Sequence, residues 1–229
     1  MEFKDIVTDS AQFRALMGEP PPPCVAKTIA IADRHCRAFI ARSPFVLVAS
    51  ANALGQMDIS PKGDAPGFVR VLDDKTLAIP DRPGNRRADT FTNVLENPRI
   101  GLIFFVPGKS ETLRFSGSAR IVRDLDLRES MAAHGKTPEF VLAVAIEEAF
   151  FHCSKCIVRS SLWKPEAWPR SMAFPALLRR WWMPPSLRCP SKPWTRSSSR
   201  TNRNDSTSVP NQRRDASPVE CSATSTTGC

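Results

Sequence analysis

The chain has no apolar run long enough to cross a membrane. A membrane-spanning helix needs about 20 consecutive apolar residues, and no stretch of the 229 residues approaches that length. The first 18 residues also lack the apolar core of a secretory signal peptide. We therefore expect a cytoplasmic protein that has no membrane partner.

Cysteine does not form the framework of a disulfide scaffold. The chain has seven cysteines, an odd number, and the first 169 residues hold Cys24, Cys36, Cys153 and Cys156. Without a signal peptide nothing directs them to an oxidising compartment, so we expect reduced thiols. With His152, two of them supply three metal ligands where structural zinc takes four. We expect no metal, and buried cysteines on a strand.

Positive charge is concentrated at one end of the chain. The formal net charge is +9, of which residues 1–169 contribute +2 and residues 170–229 contribute +7. The first 169 residues are long enough to bury a core, and we predict that they form one domain. Residues 186–229 contain 16 serines and threonines among 44 residues. They offer too little apolar area to offset the entropy of ordering.

Two explanations of the segment 170–229 remain open. It is a disordered basic tail, or it is translated in a shifted reading frame, because composition, charge and periodicity change together near residue 170. A basic tail attracts phosphate, but its few clustered aromatic residues do not make a stacking groove. We therefore expect no nucleic-acid partner.

Short strands separated by turn residues dominate the first domain. Strands are predicted at 45–50, 56–60, 68–72, 76–79, 99–106 and 112–122, and the first two form a hairpin. Helices are predicted at 10–18, 33–41, 86–95, 125–133 and 138–150, before a last strand at 151–160. Strands that follow one another without regular intervening helices favour a mainly β fold, an antiparallel barrel with peripheral helices.

Two adjacent arginines, Arg86 and Arg87, follow a Pro/Gly turn at the start of a predicted helix. Guanidinium groups and the free N–H groups of a helix N-terminus together suit a phosphate. Alternatively, the arginines are solvated or pair with Asp81 and Asp89. Two cations at a helix N-terminus oppose the helix dipole, which favours the anion-binding interpretation.

Two further stretches carry polar residues into turns. Residues 58–67 form a loop rich in hydrogen-bonding groups between two predicted strands. Residues 107–117 form a hairpin that leads into a strand with Thr112 and Arg114 on one face. Each stretch alone is an ordinary turn with charges nearby.

Taken together, the three stretches resemble the FMN-binding split barrel of the pyridoxamine 5′-phosphate oxidase-like family. Within it they are most similar to a bacterial branch of FMN-dependent oxidase-type flavoproteins. Residues 43–45, 97–101 and 152–163 also fit this pattern, and the resemblance covers about residues 20–169. It implies an antiparallel split β-barrel with FMN as the cofactor.

The resemblance assigns cofactor contacts to several positions. A basic pair binds the FMN phosphate in this family where the sequence has Arg86 and Arg87, beside a small polar residue, here Asn85. The preceding strand, here Ile79 and Pro80, lies along the ribityl chain and the flavin ring.

The resemblance places the remaining contacts farther from the phosphate. Ser60 and Lys62 are expected near the ring. A polar side chain aligned with Thr112, on the same face as Arg114, reaches the cofactor from the other subunit of a homodimer. No catalytic residue is assigned.

The resemblance implies an FMN-dependent oxidoreductase that passes hydride or electrons between the flavin and a small organic substrate or oxygen. The oxidase that names the family recognises its substrate's phosphate with C-terminal residues, and these have no equivalent here, so the substrate stays open. The alternative is a non-catalytic module that holds a flavin, haem or a deazaflavin, because one fold hosts several functions.

Overall fold

The structure of the chain, a computed structural model, describes residues 1–168. The predicted tail therefore lies outside the described residues. The described part is mainly β and contains a seven-stranded sheet of order β2-β1-β5-β6-β7-β4-β3, in which all paired neighbours are antiparallel. The strands are β1 (Phe45–Ala51), β2 (Met57–Gly63), β3 (Arg70–Val71), β4 (Thr76–Pro80), β5 (Arg99–Phe105), β6 (Thr112–Val122) and β7 (Val141–His152). The predicted fold class, an antiparallel split barrel with peripheral helices, is confirmed.

Short helices lie between and around the strands. They are α1 (Ser10–Met17), α2 (Pro22–Val25), α3 (Arg34–Ile40), α4 (Asp89–Glu96), α5 (Leu125–Ser130) and α6 (Lys155–Arg159), followed by a 3₁₀ turn at Pro165–Ala167. In residues 1–168 no helix has the length and apolar character needed to span a bilayer.

Strict alternation of side chains builds the inner face of the sheet. Along β1 the side chains of Val46, Val48 and Ser50 are buried, while those between them are more exposed. Phe104 and Phe115 from the neighbouring strands meet in the core edge to face, with ring centroids 5.8 Å apart. Period-two burial is the pattern of a strand with one face on the core, which is why the sequence predicted this part correctly.

Helix α4 packs on that inner face through polar as well as apolar contacts. Its buried Asn93 donates from Nδ2 to Ser50 Oγ on β1 at 3.0 Å. The buried side-chain nitrogen and oxygen atoms of the described residues all have hydrogen-bond partners, as expected for groups whose desolvation would otherwise cost free energy.

The predicted helix at 138–150 and strand at 151–160 are wrong. Residues 141–152 form β7, and the chain then turns into α6. A β-bulge explains the error, because Ser116 pairs with Glu148 while Gly117 pairs with Ile146, leaving Glu147 as an extra residue. The bulge shifts the alternation from even to odd positions, so Leu142, Ile146 and Ala149 are all buried, at spacing i, i+4, i+7. That spacing imitates one face of a helix.

The cysteine prediction is partly wrong. Cys36 on α3 is buried, but Cys24, Cys153 and Cys156 are exposed. Cys153 follows the end of β7 and Cys156 lies on α6 rather than on a strand. The four are free thiols in the described structure.

Candidate anion-binding site

Strand β2 presents a polar stripe toward the interior of the barrel. Asp58, Ser60 and Lys62 are half-buried, while the residues between them are exposed. Ser60 lies opposite Val48 of β1, so the stripe shares the face that carries the core. Because side chains two residues apart on a strand point to the same side, the polar run in the sequence becomes one line of donors and charges.

The loop of residues 81–88 is anchored at its start by a half-buried ion pair. Arg82 Nε lies 2.6 Å from Asp64 Oδ2, and a second guanidinium nitrogen donates to the Met131 carbonyl oxygen at 3.0 Å. Burial alone would raise the pKa of Asp64, but the Ala65 N–H and the Arg82 guanidinium together hold it below its ordinary value. This contact fixes the loop where it leaves β4.

The start of the loop also lies close to the polar stripe. Burial raises the pKa of the Asp81 carboxyl, and the nearby Lys62 ammonium opposes that rise. The two groups are within electrostatic range of each other but form no ion pair in the described residues. Lys62 is thus partly balanced by one carboxylate.

The end of the loop contacts the other end of the stripe through Asp58. Its carboxylate accepts a hydrogen bond from Ser60 Oγ at 2.9 Å and a long one from Thr90 Oγ1 at 3.5 Å. Arg87 Nε donates to Asp89 Oδ2 at 2.8 Å, and this contact, with a smaller contribution from Asp58, raises the pKa of Arg87. The sequence prediction included Asp58 in a polar loop, whereas it lies on strand β2, and assigned neither Asp58 nor Thr90 to the site.

The two arginines do not occupy the first turn of the helix, which corrects the sequence prediction. Helix α4 begins at Asp89, and its N-cap residue Ala88 is left-handed, with φ of 57°. Arg86 is also left-handed, with φ of 61°. Left-handed residues cannot continue a right-handed helix, so the helix starts after them. The acidic Asp89 then takes the first turn, where the helix dipole favours negative charge.

Arg86 is the cation of this loop that lacks a counter-charge. Within residues 1–168 it makes no ion pair and no side-chain hydrogen bond, whereas Arg87 binds Asp89. Asn85 Oδ1 accepts the Arg87 backbone N–H at 3.0 Å, which closes the turn. The loop can therefore receive an anion with one free guanidinium and one shared guanidinium.

Two predicted residues, Ile79 and Pro80, form the buried end of β4. Both side chains are enclosed in the core, where Ile79 lies opposite Leu142 and Pro80 opposite Val141. They position the loop that follows rather than expose side chains to a ligand.

The remaining predicted residues, Thr112 and Arg114, lie elsewhere on the sheet. No hydrogen bond or ion pair of the described chain joins them to the loop of residues 81–88. Thr112 is buried opposite His152. Arg114 forms an ion pair with Glu148 and stacks over the Phe150 ring at 5.3 Å. The predicted site residues therefore form two separate groups within one chain.

The sequence offered His152 as one of three potential metal ligands. In the structure its ring lies beside Arg114 and Phe150, and its pKa is lowered. Burial lowers its pKa and the Arg114 guanidinium lowers it further. Its ring contacts Phe150 edge to face, with centroids 5.2 Å apart. In the described residues no group of three or more ligating side chains could hold a metal ion.

The outer face of the sheet carries an apolar patch, which we define as Phe45, Leu47, Met57, Ile59 and Ile103. Met57 and Ile59 are 67% and 62% exposed, and the neighbouring strands pair so that the five side chains share one face. A contiguous exposed apolar surface is typical of an interaction site.

Comparisons with known proteins agree with this architecture. A family model described as pyridoxamine 5′-phosphate oxidase matches residues 32–153, which is more than half of the chain. No curated protein matches at a significant level.

Several solved structures resemble the chain over about half its length. HupZ from Group A Streptococcus is 24% identical, covers 52% of this chain and 92% of its own, and gives a TM-score of 0.43. A putative pyridoxamine 5′-phosphate oxidase from Lactobacillus delbrueckii is 22% identical, covers 53% of this chain and 95% of its own, and gives a TM-score of 0.42. An FMN-binding protein from Syntrophomonas wolfei is 13% identical, covers 51% of this chain and 83% of its own, and gives a TM-score of 0.41. On the strength of the family model, the chain belongs to the pyridoxamine 5′-phosphate oxidase family.

Proposed function

We propose that the chain binds FMN and acts as an FMN-dependent oxidoreductase on a small organic substrate or oxygen. The observation that carries the proposal is the guanidinium of Arg86, which has no partner within residues 1–168 and is held in a left-handed turn beside Arg87. A flavin mononucleotide ends in a phosphate dianion, and hydrogen bonds to charged groups contribute about 1.5–3 kcal/mol each. Family membership makes a flavin the ligand to test first.

The side chains around the loop fit a phosphate ester. Among the described residues nothing pairs with Arg86, and Arg87 is held by Asp89, an exposed contact that a dianion can replace. Asn85 supplies an amide. The Asp58 carboxylate opposes an anion, and its contacts with Ser60 and Thr90 keep it directed at neighbouring hydroxyls. We infer that the phosphate lies on the outer side of the loop, away from Asp58.

The polar stripe of β2 is the candidate surface for the rest of the cofactor. Ser60 and Lys62 are half-buried beside the loop, and Ile79 and Pro80 form the floor from which the loop departs. Bound FMN would supply hydride and electron transfer. The residues of this chain would bind it, orient it and exclude water from one side.

We further propose that the functional form is a homodimer. Burial of the apolar patch on the outer sheet face would remove its side chains from water. A second copy that presents the same patch would form a two-fold symmetric interface, the commonest kind among oligomers. Thr112 and Arg114 belong to the same outer face of β6, yet lie apart from the loop of their own chain. In a homodimer, Thr112 and Arg114 of one copy would reach a cofactor that Arg86 and Arg87 of the other copy hold.

The test is a visible absorption spectrum of the purified full chain, followed by mass identification of any molecule released on denaturation. Flavin bands with FMN released support the cofactor, and bleaching of those bands by a reduced nicotinamide supports oxidoreductase activity. FMN that no donor reduces would favour the non-catalytic binding module. A haem or deazaflavin spectrum, or a colourless protein that takes up no added FMN, would refute FMN as the cofactor.

A further inference from the structure

A pair of exposed thiols lies outside the proposed cofactor site. Cys153 and Cys156 are separated by two residues, Ser154 and Lys155, and both are free and exposed. Two cysteines with this spacing are the sequence pattern of a redox-active dithiol. The other cysteines of the described residues, Cys24 and Cys36, have no second cysteine within three positions.

The backbone brings the Cα atoms of Cys153 and Cys156 to a separation that a disulfide can span. Ser154 has right-handed helical angles, with φ of −70° and ψ of −11°, and Lys155 begins α6. Two successive helical residues bring the flanking Cα atoms to about 5 Å by helix geometry. Disulfides span Cα separations of roughly 4.4–6.8 Å, so the bond needs no unfolding of α6.

Cys153 also lines a cavity that can hold the oxidising partner. The cavity has a volume of about 540 Å³, within the range of small-molecule sites. Its other lining groups carry charges of both signs, Lys27 on one hand and Asp33 and Glu111 on the other. Such a lining matches a molecule that carries both carboxylate and ammonium groups.

We propose that Cys153 and Cys156 form a dithiol–disulfide pair that exchanges with small disulfides of amino-acid character bound in this cavity. The deprotonated thiol of Cys153 attacks one sulfur of the small disulfide, whose S–S bond breaks and releases a thiolate. The deprotonated thiol of Cys156 then attacks the Cys153 sulfur of the mixed disulfide and releases the second thiolate. Two electrons pass to the small disulfide, which is reduced to two thiols, and both cysteine protons go to the released thiolates. The proposal does not depend on a bound flavin.

Peptide mapping of the full chain tests the pairing. The reduced protein is incubated with glutathione disulfide, quenched with acid, alkylated and digested with trypsin. Because Lys155 lies between the two cysteines, trypsin places them on different peptides, and an internal disulfide keeps those peptides joined until reduction. We expect this joined product.

Cys24 and Cys36 provide internal controls for that experiment. Cys24 is exposed and reports that the oxidant has reacted, by forming a mixed disulfide with glutathione. Cys36 is buried, and burial raises the pKa of its thiol to about 12, so it stays reduced until the chain unfolds. If Cys24 carries glutathione while Cys153 and Cys156 are alkylated or separately glutathionylated, the pairing is overturned.

Three variants test the order of attack and the role of the cavity. Cys156→Ser should trap glutathione on Cys153, because the resolving thiol is gone, and equal trapping on Cys156 in Cys153→Ser would overturn the assigned order. Lys27→Met should slow oxidation by glutathione disulfide severalfold but leave oxidation by the uncharged 2-hydroxyethyl disulfide unchanged. Equal rates with both disulfides would overturn binding in the cavity.

Discussion

The Arg82 guanidinium lies 2.6 Å from the Asp64 carboxylate, and this ion pair ties the loop that carries Arg86 and Arg87 to the chain just beyond β2. Asp64 is 10% exposed, so water screens the contact poorly. The same guanidinium holds the Met131 carbonyl. One side chain therefore sets the position of the loop relative to two other segments.

Asp64→Asn is expected to destabilise the fold by about 2 kcal/mol, because it leaves the guanidinium of Arg82 half-buried without its counter-charge. Urea unfolding monitored by tryptophan fluorescence measures the change. Asp74→Asn is the matched control, since its ion pair with Arg37 is exposed and such pairs contribute less than about 1 kcal/mol. Equal losses in the two variants would contradict a special role for Asp64.

The contribution of the Arg82–Asp64 ion pair to the free energy of unfolding should depend on pH in the acid range. The folded-state pKa of Asp64 lies below the ordinary 3.8, so its stabilising contribution is present above about pH 4 and is lost as pH falls through the folded value. Asp64→Asn should therefore flatten the acid side of the stability–pH curve. A variant curve parallel to that of the parent protein would show that Asp64 does not contribute there.

Removal of the Arg86 side chain should weaken FMN binding while leaving the fold intact. We expect Arg86→Ala to raise the Kd for FMN about tenfold to a hundredfold, because it removes charge-assisted hydrogen bonds to the phosphate. Arg99→Ala is the control, since Arg99 is an exposed arginine paired with Glu147 on the sheet. Fluorescence titration with FMN measures the Kd, and riboflavin, which has no phosphate, should bind Arg86→Ala and the parent chain equally. An unchanged Kd for FMN in Arg86→Ala would exclude the phosphate assignment.

His152 should report the charge of Arg114. Its pKa is lowered first by burial and then by that guanidinium, so Arg114→Met should raise the pKa of His152 part of the way back toward 6.5. The chain has three histidines, so NMR titration of the parent chain and the variant can follow the His152 ring separately. A pKa of His152 that does not move in Arg114→Met would remove Arg114 as a cause.

The sequence predicted the strands well wherever one face is buried and the alternation is unbroken. Val46, Val48 and Ser50 illustrate this, because each buried residue is flanked by more exposed ones. The start of α4 could not be predicted, since it depends on the left-handed backbone of Arg86 and Ala88. Nothing in the residue types requires that conformation, which L-residues adopt rarely.

The sequence predicted which arginines belong to the candidate site, but it did not predict how the other side chains are arranged around them. Arg86 and Arg87 stand out in the sequence, whereas the link from Asp58 to Thr90 joins positions 32 residues apart. Such a contact depends on the packing of α4 against β2, which local patterns do not encode. The separation of Thr112 from the loop is likewise a property of the folded sheet.

Gly117 occupies the β-bulge that misled the helix prediction, and its replacement is expected to be costly. A Cβ at this position would overlap the carbonyl oxygen of Ala145 on β7, so the backbone of β6 or β7 must shift. We expect Gly117→Ala to destabilise the fold by about 3 kcal/mol, at the upper end of the range for overpacked sites. Gly101→Ala is the control on the neighbouring strand, because a Cβ there meets the Ala49 Cβ at 3.7 Å, an ordinary contact. Thermal unfolding of both variants compares them, and a Gly117→Ala variant as stable as Gly101→Ala would show that the bulge can relax around a methyl group.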